Sequence, residues 1–235
     1  MIKIGHASSD EERKAYGGVA GDQTGGEVCV REWYSSPWDT ILRFIDPVKA
    51  EKAAQAMEKA CANDNIGYDQ YQRNTLLAKA EAVEFDLAKV DEPCETDCSA
   101  LVSVCAQVAG VKIPYISGNA PYTGIMEKQF ASTGEFEVLK GDEYLKSDAL
   151  LLRGDILLRA SGHTAMALEN GARATPRDTR DNTPSKWEGA KEAIDWATSN
   201  GIMKGDNKGN LRLRDNITRE EMCIMLHRFY NIVKG

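Results

Sequence analysis

Between Gly171 and Ser185 the chain runs Gly-Ala-Arg-Ala-Thr-Pro-Arg-Asp-Thr-Arg-Asp-Asn-Thr-Pro-Ser, with two alanines as its only apolar side chains. Such a stretch has nothing to bury and is punctuated by proline and glycine, so no single hydrophobic core can pass through it. It therefore divides the chain into a large unit, residues 1–173, a linker, residues 174–185, and a small unit, residues 186–235. The length of 235 residues suits that division, because domains commonly run to about 100 to 200 residues.

With 42% hydrophobic and 28% charged residues, the composition is that of a soluble globular protein with the material for a core. The formal charge of −7 excludes a general nucleic-acid binder, whose affinity for phosphates needs clustered Lys and Arg. No stretch approaches the roughly 18 apolar residues of a membrane span, so no membrane insertion is expected. Met1 to Ser9 lack the apolar segment of a secretory signal, and the expectation is synthesis in the cytoplasm. Six scattered cysteines, Cys29, Cys61, Cys94, Cys98, Cys105 and Cys223, are too sparse for a disulfide scaffold and are expected as thiols. Cys94 and Cys98 have no second Cys/His pair at ligand spacing, so no metal and no cofactor is expected.

Short strands are predicted over Ile2–Ala7 and Glu27–Tyr34, separated by a glycine-rich loop, Gly17–Gly26. Asp46 before Pro47 is a helix start, followed by Val48, Ala53, Ala56, Met57, Ala60 and Cys61 at helical spacing. A second helix is predicted from Tyr68 to Lys79. A third begins at Cys98, places Leu101, Val102, Cys105 and Val108 on one face and stops at Gly110. Leu150–Arg159 and His163–Glu169 read as two strands joined by a tight turn, Ala160-Ser161-Gly162. In the small unit, Ala190, Ala193, Ile194 and Ala197 mark one helix. Thr218-Arg219-Glu220-Glu221 is a capping box opening another.

Chemistry concentrates on the third helix. A thiol of ordinary pKa, about 8.5, is only a few per cent ionised at neutral pH. The unpaired N–H groups of a helix N-terminus favour an anion there and can also hold an oxyanion, and Cys98 sits at that position. A base must take the thiol proton, and histidine is the usual one. The candidates are His6, His163 and His227, of which His163 opens a strand directly after Gly162. In the glycine-rich loop, Gln23 is a candidate oxyanion donor and Asp22 a candidate contact for a substrate amine.

Three segments in order, Asp97-Cys98-Ser99-Ala100-Leu101, Gly154-Asp155-Ile156-Leu157-Leu158 and Gly162-His163-Thr164-Ala165-Met166-Ala167-Leu168, with Gly67-Tyr68 upstream, resemble the motif set of NlpC/P60 peptidases. That resemblance spans about Gly67 to Gly171. It implies an α+β, papain-like domain with helices packed on an antiparallel sheet. It also implies a Cys98 nucleophile and a His163 base acting on cell-wall stem peptides, with Asp97 and Ser99 at the substrate. In that family a polar residue on the strand after the base strand orients the histidine, whereas here the chain runs from Asn170 into the linker. Ile4-Gly5-His6-Ala7-Ser8 and Glu27–Arg43, with Trp33, Tyr34, Pro37 and Trp38, resemble the missing pieces. The expectation is therefore a circularly permuted domain in which His6 is the orienting residue. The alternatives for that role are Asp22, Glu169 and Asn170.

Ala193-Ile194-Asp195-Trp196-Ala197, Asn200-Gly201-Ile202-Met203-Lys204-Gly205 and Ile217-Thr218-Arg219-Glu220-Glu221-Met222 resemble an S-layer homology repeat. The resemblance implies binding to a secondary cell-wall polymer, and a homo-oligomer formed through this unit would restore the multivalency a single copy lacks. Asp206–Asn210 lacks the acidic residue that would close a calcium loop and reads as a turn. Together these features point to a peptidoglycan hydrolase of the phage or prophage endolysin type, an amidase or stem-peptide endopeptidase acting at the Gram-positive wall. The alternative is a non-catalytic wall-binding or surface-layer protein.

Overall fold

The computed structural model describes residues 1–175, 188–205, 211, 213 and 217–234. The chain forms two compact units, Met1–Pro176 and Arg177–Gly235. From residue 176 on, the segment expected as a linker lies outside the described residues, as does the Asp206–Asn210 turn. Among the described residues no helix is long and apolar enough to cross a membrane.

The first unit is mixed α and β, built on one antiparallel sheet. Its elements in chain order are β1 (Lys3–Ala7), β2 (Val28–Glu32), β3 (Thr40–Phe44), α1 (Pro47–Cys61), β4 (Ile66–Tyr68), α2 (Thr75–Ala82), β5 (Cys94–Thr96), α3 (Cys98–Val108), α4 (Thr123–Ala131), β6 (Phe136–Leu139), α5 (Asp142–Leu145), β7 (Ile156–Arg159) and β8 (His163–Ala167). The six-stranded sheet has the order β2-β1-β8-β7-β3-β6, and β4 and β5 form a separate parallel pair. The N-terminal strand thus lies beside the histidine strand, with Ile4 opposite Ala167 and Gly5 opposite Met166.

Side chains alternate across the sheet, as strand geometry requires. Leu42, Phe44, Ile156, Leu158 and Met166 enter one core with α1 and α3. Ile4, Ile41, Leu157, Ala165 and Ala167 enter a second core with Trp33 and Trp38. Helix α1 begins where the sequence indicates, with Pro47 in its first turn and Asp46 Oδ1 accepting from Val48 N at 2.8 Å. Its small buried face, Ala53, Ala56 and Ala60, allows close approach to the sheet: a Cβ on Gly5 would stand 2.4 Å from Met57 Cγ.

Helix α3 departs from the one-sided pattern. Every residue from Cys98 to Ala106 is buried, and Val108 is only partly so. This central helix is apolar all round because other elements surround it, and its two serines bond internally, Ser99 to Asp97 and Ser103 to the Ser99 carbonyl.

The predicted helix from Tyr68 is corrected: Tyr68 ends β4, opposite Thr96, and α2 starts at Thr75. The cause is Asp69, whose Oδ1 accepts from the Tyr71 and Gln72 N–H groups and holds the intervening chain as a turn. The strand predicted from Leu150 is shorter, beginning at Ile156, because Gly154 adopts φ +91° with Ala50 O only 2.7 Å from where a Cβ would sit. Asp155, next in that motif, is buried and receives a two-pronged bond from Arg43 on β3, Nε to Oδ1 at 2.8 Å and Nη2 to Oδ2 at 2.6 Å.

The second unit contains α6 (Ala190–Ser199) and α7 (Arg219–Lys234). The capping box forms, with Thr218 N donating to Glu221 Oε2 at 2.8 Å and Glu221 N to Thr218 Oγ1 at 3.1 Å. Trp196 meets Phe229 with ring centroids 6.4 Å apart, and Arg228 donates to the Ile202 carbonyl.

Candidate active site

The parallel pair β4–β5 delivers the chain to Asp97, whose extended backbone, φ −121° and ψ 179°, ends the strand and begins α3. Asp97 Oδ1 caps the helix by accepting from Ala100 N at 2.7 Å. Cys98 follows as the first residue of α3 and is 7% exposed. The backbone N–H groups of Ser99 and Thr164 lie close enough to its sulfur to favour the thiolate. Thr164 is the residue after His163, so the start of α3 abuts the start of β8.

His163 Nε2 lies 2.9 Å from His6 Nδ1, with the two rings at 79°. His6 is held by β1 between β2 and β8 and is 3% exposed. Trp38 lies beside the His163 ring, centroids 6.1 Å apart, and Tyr34 lies against Trp38. The other groups weighed for the orienting role are engaged elsewhere. Glu169 accepts from Lys3 N, Asn170 from Arg153 N, and Asp22 from its own loop. His227 is on α7 in the other unit.

Burial sets the charge states. It lowers His163 to about 4, aided by Arg159 and Arg31 and opposed by Asp97. It lowers His6 to about 3, aided by His163 and Arg31, so both rings are neutral at pH 7. The thiol of Cys98 is pushed up to about 12 by burial and by the Asp97 carboxylate, against the Thr164 and Ser99 N–H groups and Arg73. This corrects the expectation that the helix N-terminus ionises the thiol. The donors are present, but loss of solvent outweighs them, and the Cys98 thiol and the His163 imidazole are both neutral at rest.

Asp97 and Ser99, expected at the substrate, are bound within the protein. Arg73 Nε faces Asp97 Oδ2 at 2.6 Å, and Arg73 Nη2 reaches Asp97 Oδ1 at 3.1 Å and Ser99 Oγ at 2.6 Å. Asp22 accepts from the N–H groups of Thr24, Gly25, Gly26, Glu27 and Val28, so its carboxylate organises the glycine-rich loop. Gln23 Nε2 donates to the Ala20 and Gly21 carbonyls of the same loop. That loop is pressed onto β4, since a Cβ on Gly67 would stand 2.5 Å from Gly21 O.

Beneath the loop lies a feature that has no periodic or motif signal in the sequence. Glu95 on β5 is 1% exposed, and among the described residues its carboxylate oxygens make no well-formed hydrogen bond, the Gly21 N–H of the loop acting on them only weakly. Burial raises its pKa from 4.5 to about 8, and Glu27 and Asp69 add to the rise. A carboxyl held above its unfolded value supports the fold fully below about 4.5, and that support is lost as pH rises through about 8. Glu95→Gln, a neutral mimic, should therefore keep its melting temperature between pH 5 and 9 while the parent's falls. Parallel curves in calorimetry would show that another group titrates.

Residues 4–174 match the family described as the endolysin-like domain, and residues 180–223 match the S-layer homology domain. No curated protein and no solved structure matches the chain. An endolysin-like domain joined to an S-layer homology domain supports a peptidoglycan hydrolase that acts at the cell wall, with the second domain as its wall anchor. Because the first match covers well over half of the residues, the chain belongs to the endolysin-like domain family.

Proposed function

We propose that residues 1–173 form a cysteine peptidoglycan hydrolase of the NlpC/P60 kind, circularly permuted, and that residues 186–235 hold it to a secondary wall polymer across a linker, residues 174–185. The observation that carries this reading is the His6–His163 bond, 2.9 Å long, on the strand that packs against α3, the helix that Cys98 begins. The antiparallel pairing of β1 with β8 supports the permutation, because it seats an N-terminal strand where the strand after the base strand belongs.

With His163 Nε2 donating to an unprotonated His6 Nδ1, His163 Nδ1 is the atom that takes a proton. As the sulfur attacks the amide carbon, the thiol proton passes to Nδ1, and the carbonyl oxygen gathers charge beside backbone N–H groups at the start of α3. Collapse of the tetrahedral intermediate breaks the C–N bond, and the leaving amine takes the proton from His163. Water then attacks the thioester, His163 accepts its proton and returns it to the departing sulfur, and a carboxylic acid is released. The neutral resting pair makes proton transfer part of the attack rather than a prior ionisation.

In this reading Asp22, Gln23, Asp97 and Ser99 shape the site instead of gripping substrate. The chain is of the phage or prophage endolysin type, and a homo-oligomer through the small unit would give the avidity that one repeat lacks. The exposed apolar residues of α7, among them Leu226 at 60% and Val233 at 69%, favour such association.

The experiment is digestion of purified Gram-positive walls followed by mass spectrometry of the soluble fragments. Expected are new amine and carboxyl ends either at the muramic acid–L-alanine bond or within the stem peptide. Clearing of the walls with only new sugar reducing ends would overturn the reading.

A further inference from the structure

Arg73 stands outside every motif in the sequence, yet its guanidinium meets the residues on both sides of Cys98. Its Nε stands at ion-pair distance from Asp97 Oδ2, 2.6 Å, without hydrogen-bond geometry, while Nη2 donates to Asp97 Oδ1 at 3.1 Å and to Ser99 Oγ at 2.6 Å and Nη1 to the Ala120 carbonyl at 3.0 Å. The neighbouring Asn74 completes the same connection, with Oδ1 accepting from Ala120 N at 3.0 Å and Nδ2 donating to Asn119 Oδ1. The segment before α4 is thereby tied to the first turn of α3. The Arg73 and Asp97 side chains are 13% and 10% exposed, so the pair is largely shielded from solvent. The fork is geometrically demanding, since three acceptors on three different residues must be met by one planar group.

Resting on the cysteine reading above, we infer that Arg73 is a positioning residue for Cys98: it holds Asp97, Ser99 and Ala120 together, fixes the first turn of α3, and neutralises the carboxylate beside the thiol. Charged and titratable groups near the sulfur come from several elements: Asp97 at the start of α3, Arg73 before α2, Tyr68 on β4, Tyr34 after β2 and, in the reading above, the neutral His163 on β8. Of these, Arg73 is the cation, and without it Asp97 is left as a shielded, unpaired anion adjacent to a thiol that must lose its proton. Lysine restores the charge but cannot span the three acceptors.

The test uses the full-length protein and follows two readouts: turnover on cell walls, and the pH dependence of Cys98 alkylation by iodoacetamide, read at its own peptide by mass spectrometry. Arg73→Met should lower kcat about 100-fold with KM within about threefold, and slow Cys98 alkylation at every pH tested. Arg73→Met with Asp97→Asn, which keeps a helix cap, should return the alkylation profile towards the parent while kcat stays at least about tenfold low. Arg73→Lys should keep the alkylation profile and lose about tenfold in kcat. Folded Arg73→Met with parental kcat and profile would overturn the proposal. If Arg73→Met fails to fold, a folded Arg73→Lys with parental kcat would overturn it, and loss of the fold in both would make the role purely structural. A Cys98→Ala protein that still digests walls would instead remove the cysteine reading itself.

Discussion

Cys98→Ala should abolish wall digestion, with a loss of at least about 10³-fold, while melting temperature and circular dichroism stay near those of the parent. The size of the loss follows from the role: with no sulfur there is no thioester, and the remaining N–H groups can only polarise a carbonyl that water attacks slowly. The fold should survive because the substitution removes one sulfur from the edge of a core whose bulk is supplied by Leu101, Val102 and Met166. Turbidity loss of Gram-positive walls measures the first quantity. Equal clearing by parent and variant would mean that the enzyme does not use Cys98.

His163→Ala should cost a further large factor, about 10² to 10⁴ in kcat, as loss of a general base does. The pH profile of the parent carries the more specific signature. A base must be unprotonated to act, and His163 is held at about 4 by burial and by Arg159 and Arg31. Activity should therefore persist as pH falls through 6.5, the ordinary imidazole value, and decline only towards pH 4. His6→Ala removes the partner of Nε2 and should give an intermediate loss, because the ring is then free to turn. An acid limb centred near 6.5 would show that the site is wetter, or His163 better paired with the thiol, than the account allows. Unchanged turnover in a folded His6→Ala protein would remove the orienting role.

What could be read from the sequence was mainly local. Asp46-Pro47 and Thr218 to Glu221 announce helix starts because the capping bonds join residues a few positions apart. The β7–β8 hairpin was legible for the same reason, its turn being short and flanked by apolar strands. By contrast β3 pairs with β6 and β7, more than 90 positions away, and β6 has two exposed residues in four, so neither strand carries a clean alternating signal. The positions of Cys98, His163 and His6 in a folded unit depend on the same long-range pairing, and motif order stood in for it. The jobs of Asp22, Asp97 and Glu95 were hidden because sequence shows that a carboxylate is present, not whether backbone N–H groups, an arginine or only a weak donor meets it. The motif resemblance pointed Asp97 towards substrate, whereas its bonds to Ala100 N and Arg73 make it a cap and half of an ion pair.

The central claim, that the sulfur of Cys98 forms a covalent bond with the cleaved peptide, is tested most directly by acid-quenching the reaction in its first turnovers and measuring the mass of the intact protein. Expected is an adduct equal to the acyl portion of the substrate, mapped to the Cys98 peptide and released by hydroxylamine. Rapid product formation with no adduct on Cys98, or an adduct that persists in Cys98→Ala, would contradict it.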